Sequence, residues 1–230
     1  MAQSELDPRE RILRAAVELL VDDGRDAVST RAVSAAAGVQ APTIYRHFGD
    51  MRHLVDAAAS RGMADYLDRK RSRPHDDDPV EDLRGGWDLH VEFGLTCPHV
   101  YTVLYGDPRP EAEPGGVSEG NAILRKLIQR IAAAGRLRVE VERAAEMVHA
   151  ACRGVTLTLI ATRPDERDPE LSTAVREALL SAITSDVADE GGGGIGALAV
   201  ALEAAIESAP PSALSSAETA MILEWLDRLH

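Results

Sequence analysis

"AGVQAPTIYRHFGD", residues 37–50, places a glycine at 38 and a proline at 42, then Thr43, Tyr45, Arg46 and His47 within little more than one helical turn. Gly38 supplies the positive φ that ends one helix, and Pro42 suits the first turn of the next. Gly49 stops that second helix after about two turns. Asp50 is placed to cap a longer helix reaching roughly residue 72. Upstream, Ser29 or Thr30 caps a short helix through Ala36, with Val33 and Ala36 facing inward. Further upstream, residues 8–23 read as an amphipathic helix. Asp7 is its cap, Pro8 opens its first turn, Ile12, Leu13, Ala16, Val17 and Leu20 share a face, and Gly24 ends it.

Two short helices around a glycine turn, the second polar at its start, form a helix-turn-helix pattern. A two-turn helix buries little, so its outward residues are free to reach a groove. Thr43 and Tyr45 carry hydroxyls for phosphate oxygens, and Arg46 and His47 add charge-assisted contacts. Arg31 points toward the same backbone. Ile44 and Phe48, four apart, anchor the opposite face. The spacing alone also fits a tight helical corner with a solvated polar face.

The rest of the composition supports a helical protein. The chain has 230 residues, 45% hydrophobic and only 3% aromatic. Its apolar residues are mostly Ala, Leu and Val, and no window alternates as a strand would. The reading is all-α. No run of 18 apolar residues spans a membrane. The start, "MAQSELDPRERIL", lacks an apolar signal core, so a cytoplasmic location is expected. Two cysteines, Cys97 and Cys152, are too few for a disulfide scaffold. Arg outnumbers Lys by 23 to 2, the codon bias of a GC-rich, bacterial genome.

The net charge of −13 is unevenly spread. Residues 1–73 hold 12 basic and 11 acidic side chains, whereas residues 74–230 hold 13 and 27. An acidic remainder repels nucleic acid and confines any DNA contact to the N-terminal part. Helices are expected at about 79–95, 98–105, 118–134, 139–162, 169–188, 195–207 and 215–229. Loops rich in Pro, Gly or acid separate them, notably 106–116 and 189–196. Asp78 precedes Pro79 as a cap, with Glu81 and Asp82 in the first turn.

"TRAVSAAAGVQAPTIYRHFGDMRHLVDAA", residues 30–58, resembles the DNA-binding segment of TetR-family transcriptional regulators. The match runs through Ser29, Thr30, Arg31, Ala36, Gly38, Val39, Pro42 to Tyr45, His47, Phe48 and Leu54. "RILRAAVELLVDDG" looks like that family's first helix. The resemblance covers about residues 8–60. It implies an N-terminal three-helix DNA-binding domain, residues 1–52, and a larger helical domain, residues 53–230, for ligand binding and dimerisation. It places Gln40, Ala41, Thr43 and Arg46 as base-edge readers. Thr30, Arg31, Tyr45 and His47 fall where phosphate contacts lie. Gln40 and Arg46 can each discriminate bases, worth ~1–3 kcal/mol when bidentate. The family usually has a phosphate-binding Lys three residues after the Phe. Here that position is Met51, and Arg52 is the substitute, turned about 100° round the helix.

The resemblance further implies a homodimer, a palindromic operator and a small-molecule effector that releases DNA. In such proteins the last two long helices pair across a two-fold axis. Helix 141–162 carries an apolar stripe of Val148, Ala151, Cys152, Val155 and Leu159. It also carries a stripe of small residues, Ala150, Gly154, Thr158 and Ala161. The following helix has Leu171, Ala174, Val175, Ala178, Leu179, Ala182 and Ile183. Segment 195–229 exceeds the family minimum and fits either an addition to the dimer interface or a cover over the core.

Residues 86–107 gather most of the aromatic side chains beyond the N-terminal part. Trp87, His90, Phe93, Tyr101 and Tyr105 are the candidate ligand contacts, with Met147, Cys152 and Thr156 as a far wall. An apolar cavity with few polar groups suits a small amphipathic ligand. The bland reading is that these aromatics fill a core. Cys97, His99, His149 and Cys152 match no zinc spacing, and no nucleophile, phosphate-loop or paired-carboxylate motif is present. Neither metal, cofactor nor catalysis is expected. The alternative is a small-molecule-binding or metal-sensing helical protein whose DNA binding is weak or lost, with Met51 as its hint.

Overall fold

The computed structural model describes residues 7–106, 115–185 and 195–229. Among these the structure is helical, with one isolated antiparallel bridge between Leu137 and Thr184. By packing, the chain divides into two compact units. The first takes in residues through Ser72, Glu92–Gly120 and Leu157–Arg163. The second takes in Arg73–Val91, Asn121–Thr156 and residues from Pro164 onward.

The first unit begins with α1 (Pro8–Asp23), α2 (Thr30–Ala37), α3 (Ala41–Phe48) and α4 (Met51–Gly62). α1 packs against α2, α3 and α4. Ile12, Ala16, Leu20, Val33, Ile44 and Leu54 are completely buried between them. Each large aliphatic contributes roughly 1.5–3 kcal/mol by leaving water. Ser29 accepts from the Ala32 amide and so caps α2. Asp50 likewise caps α4 by accepting from the His53 amide. Asp7 makes no side-chain cap bond; only its carbonyl is used, by the Arg11 amide. On α2 the inward residues are Val33 and Ala37, while Ala36 is exposed, because the helix turns its buried face four residues on from Val33.

The helix expected from Asp50 to about residue 72 is broken into α4 and α5 (Ala64–Ser72). Met63 between them is fully buried, and its amide turns back to Ala59 and Arg61 carbonyls. The cause is tertiary. α7 (Pro98–Tyr105) packs on both α4 and α1. At Gly62 a Cβ would stand 3.0 Å from Val100 Cγ2, so α7 approaches α4 closely there and a larger residue would push Val100 aside.

The remaining helices are α6 (Pro79–Thr96), α8 (Gly115–Ala133), α9 (Val141–Ala161), α10 (Leu171–Ile183), α11 (Ile195–Ser208) and α12 (Ser216–Asp227). Portions of α6, α8 and α9 belong to each unit. The expected loops 106–116 and 189–196 fall largely on residues 107–114 and 186–194, outside those described. α10 is shorter than the sequence suggests. Thr184 turns extended and enters the bridge to Leu137, with Arg138 and Ser185 amides donating across it. α11 and α12 form a hairpin around Ala199, Ile206 and Leu226. Among the described residues no helix is long and apolar enough to cross a membrane.

Candidate nucleic-acid interface

The turn between α2 and α3 is built on Gly38, at φ +63° and ψ +41°, whose amide closes onto the Ser34 carbonyl. The Val39 amide returns to the same carbonyl. Gln40, in extended backbone, opens α3, and the Thr43 amide donates to its carbonyl. The Gln40 side chain makes no cap bond. α3 then buries Ile44 and Phe48 and turns Gln40, Tyr45 and Arg46 outward, with Ala41, Thr43 and His47 half-buried.

Two expected phosphate-contacting residues come together here. The hydroxyls of Thr30 and Tyr45 lie 2.9 Å apart, joining the first turn of α2 to the outer face of α3. Each hydroxyl keeps unused hydrogen-bonding capacity. The pair can therefore meet a single phosphate in a fixed geometry. Arg31, Arg46 and Arg52 are all exposed. His47 differs from the rest: its Nε2 is buried with no hydrogen-bond partner. That leaves Nδ1 as the nitrogen through which the ring can act outward.

At the start of α4, Met51 is half-buried and Arg52 exposed. Asp50 accepts the His53 amide at 2.8 Å and lies 3.0 Å from His53 Nδ1. The His53 amide is the main reason its carboxyl stays below the ordinary carboxylate range.

Residues 12–58 match the family model described as "Bacterial regulatory proteins, tetR family". Over these residues the chain is similar to the tetR family. It is 40% identical over 70 residues to the tetracycline repressor protein class C of Escherichia coli, covering 30% of this chain and 31% of that protein. It is 37% identical over 83 residues to an uncharacterized HTH-type transcriptional regulator of Mycobacterium tuberculosis, covering 36% and 42%. The chain thus aligns with well under half the length of these relatives. Two solved structures share its fold more broadly. One is a putative tetR family transcription regulator from Shewanella sp. PV-4, with TM-score 0.60, 19% identity and coverage of 78% and 100%. The other is FadR from Bacillus subtilis in complex with stearoyl-CoA, with TM-score 0.58, 18% identity and coverage of 76% and 98%.

Outside residues 12–58, the expected ligand residues fall into both units. In the first unit Phe93, Tyr101 and Tyr105 are buried together. Tyr66, from α5, joins them and stacks on Phe93 at 4.6 Å between centroids. Tyr101 lies 5.9 Å from Phe93 and 4.5 Å from Tyr105. Lys70 sits 5.5 Å over the Tyr66 ring and donates to the Gly120 carbonyl. Tyr66 lies outside the aromatic-rich stretch, so no local signal in the sequence links it to this cluster.

In the second unit Trp87 is buried and donates from Nε1 to Ser172 Oγ at 3.0 Å. His90 and Met147 are half-buried. Cys152 and Thr156 are buried, and the Thr156 hydroxyl donates to the Cys152 carbonyl within α9. His149 bonds Asn121 Oδ1 at 2.6 Å. In the first unit His99 bonds the Val21 carbonyl at 3.2 Å. Among the described residues no group of three or more His, Cys, Asp or Glu is placed to hold a metal ion.

Asp82 carries no sequence signal beyond a helix first turn, yet it is completely buried in the second unit. Its carboxylate accepts from Arg73, from the Asp76 amide at 2.7 Å and pairs with Arg130, with His75 Nδ1 at 3.0 Å. The two guanidiniums and the amide satisfy a charge that would otherwise be costly to bury.

Proposed function

We propose that this protein is a ligand-responsive transcriptional repressor that binds palindromic operator DNA as a homodimer and is released by a small molecule. Residues 1–52 read DNA, and residues 53–230 bind the effector and dimerise. The observation that carries the reading is the outer face of α3. It offers Gln40, Thr43 and Arg46 beside the joined hydroxyls of Thr30 and Tyr45, while Ile44 and Phe48 hold the helix down. Gln40, Ala41, Thr43 and Arg46 contact base edges, Ala41 through its methyl group. Thr30, Arg31, Tyr45, His47 and Arg52 hold phosphates. Phosphate contacts set the register and base contacts set the sequence.

Exposed small residues support the dimer. On α9 Ala150 and Gly154 are exposed, and on α10 so are Ala174, Ala178 and Ala182. Faces of this kind let a partner helix approach closely. A two-fold pair presents two recognition helices to a palindrome.

The effector is a small amphipathic molecule, with Phe93, Tyr101 and Tyr105 of the first unit among its contacts. Release needs the effector to favour the form that fits DNA poorly, by a difference in affinity that acts reciprocally. α7 is the element suited to carry it. Tyr101 and Tyr105 lie in the aromatic cluster, while His99 bonds α1 and Val100 touches Gly62 at the end of α4.

The test is enrichment and sequencing of genomic fragments bound by the purified protein at moderate salt. The expected result is an enriched palindrome whose half-site spacing matches one helical turn or a multiple of it. A folded dimer that enriches no sequence, alone or after denaturation and refolding to strip a carried ligand, would favour the alternative of a binding protein with lost DNA contact.

A further inference from the structure

We propose that Arg9, at the start of α1, is an additional phosphate contact beside the recognition helix. The inference rests on the DNA-binding reading above. Arg9 is exposed, and its guanidinium lies 5.2 Å from the centroid of the Phe48 ring. Phe48 is the last residue of α3, so a residue nearly forty positions upstream places a fixed positive charge at that helix's C-terminal end. Exposed Arg46 stands on the same helix two residues before Phe48, and exposed Arg52 follows just after the turn.

The guanidinium is not consumed by the fold. Among the described residues no carboxylate pairs with it. Its neighbour Glu10 is directed to Arg61, at 3.5 Å. Asp7, the other nearby acid, is exposed and makes no bond to it. Stacking on a ring uses the face of a guanidinium and leaves its N–H edge free, the edge that suits two phosphate oxygens. When α3 lies in a groove, its end leaves the groove over a sugar-phosphate strand. A cation held there meets backbone oxygens rather than base edges. Arg9 therefore contributes affinity without sequence preference, and it supplies charge near the turn where Met51 supplies none.

The experiment measures affinity against salt concentration for the full-length protein, on an enriched operator and on random duplex. Arg9→Met keeps an apolar stem over Phe48 and removes the charge; Arg9→Lys keeps the charge. Thermal unfolding of each variant shows whether the fold is intact. Each lost phosphate contact lowers the slope of log K against log salt by about 0.9. The expected result is that drop per protomer for Arg9→Met, equal on both DNAs, with Arg9→Lys close to wild type. An unchanged slope in a folded Arg9→Met protein overturns the inference while leaving the DNA-binding reading intact. Wild-type protein that binds neither duplex overturns both.

Discussion

Three arginines around α3 and several of the second unit do opposite things. Arg31, Arg46 and Arg52 stand exposed, with no carboxylate partner among the described residues. In the second unit, Arg84 holds Glu177 at 2.8 Å and Glu81 at 2.7 Å. Arg176 joins Glu177 to Asp88, Arg130 reaches buried Asp82, and Arg136 bonds Asp78 at 2.6 Å and the Ser185 carbonyl. The arginines around α3 keep their charge at the surface, although Arg14 of α1 pairs with Glu18; those of the second unit named here are used in internal contacts. What separates them is the acid nearby: residues 27–53 contain a single carboxylate, Asp50, and it is engaged in capping α4.

The strongest way to break this contrast is Asp82→Ala. It leaves Arg73 and Arg130, 30% and 36% exposed, without their carboxylate, and loss of such a partner costs about 1–3 kcal/mol. Chemical denaturation should show a loss near that size; a change under about 1 kcal/mol would mean that the arginines find water instead. Next, Arg46→Ala should leave the unfolding midpoint in place yet alter sequence preference, with ~1–3 kcal/mol of discrimination lost at one position of each half-site. A shifted midpoint with unchanged preference would move Arg46 into the architectural group.

Gly38→Ala probes the turn itself. A Cβ there meets no atom within 4 Å, so only the φ of +63° resists it. A loss of roughly 1 kcal/mol is expected from the left-handed backbone alone, read by thermal unfolding.

The smallest effect concerns pH. Arg84, then Arg176, hold Glu177 down at about 2 from an ordinary 4.5. The unfolded carboxyl takes up its proton first as pH falls. The contribution is therefore whole above about 4.5 and disappears on descent toward about 2. Glu177 is 40% exposed, so solvent screening keeps the contribution modest. Glu177→Gln should flatten the acid limb of stability against pH; an unchanged limb would show that this pair is idle.

The two regions also differ in how far they could be read before the fold was known. In the first four helices the signals are local. Ser29 caps the turn it precedes, Gly38 adopts the backbone only glycine favours, and Ile44 and Phe48 share one face four residues apart. Even here some contacts were hidden. The bond between Thr30 and Tyr45 spans fifteen positions. Whether Ala36 or Ala37 packs inward turns on one residue of helical phase. In the rest of the chain the helices were legible but their partners were not. Tyr66 reaches Phe93 from another helix. The aromatic stretch that looks like one site divides between two units, with Trp87 tied to Ser172 and Tyr101 packed on Tyr105.

The helical class, the caps at Ser29 and Asp50, the Gly38 turn and the polar face of α3 were all written in the local sequence, because they depend on residues three or four apart. The break at Met63, the burial of Asp82 and the stacking of Arg9 on Phe48 came from packing between helices. In each of these the energy lies in a contact between distant segments: α7 pressing on Gly62, two arginines enclosing a carboxylate, and a guanidinium resting on a ring. No periodicity along the chain records such contacts, since they exist only once the helices have packed.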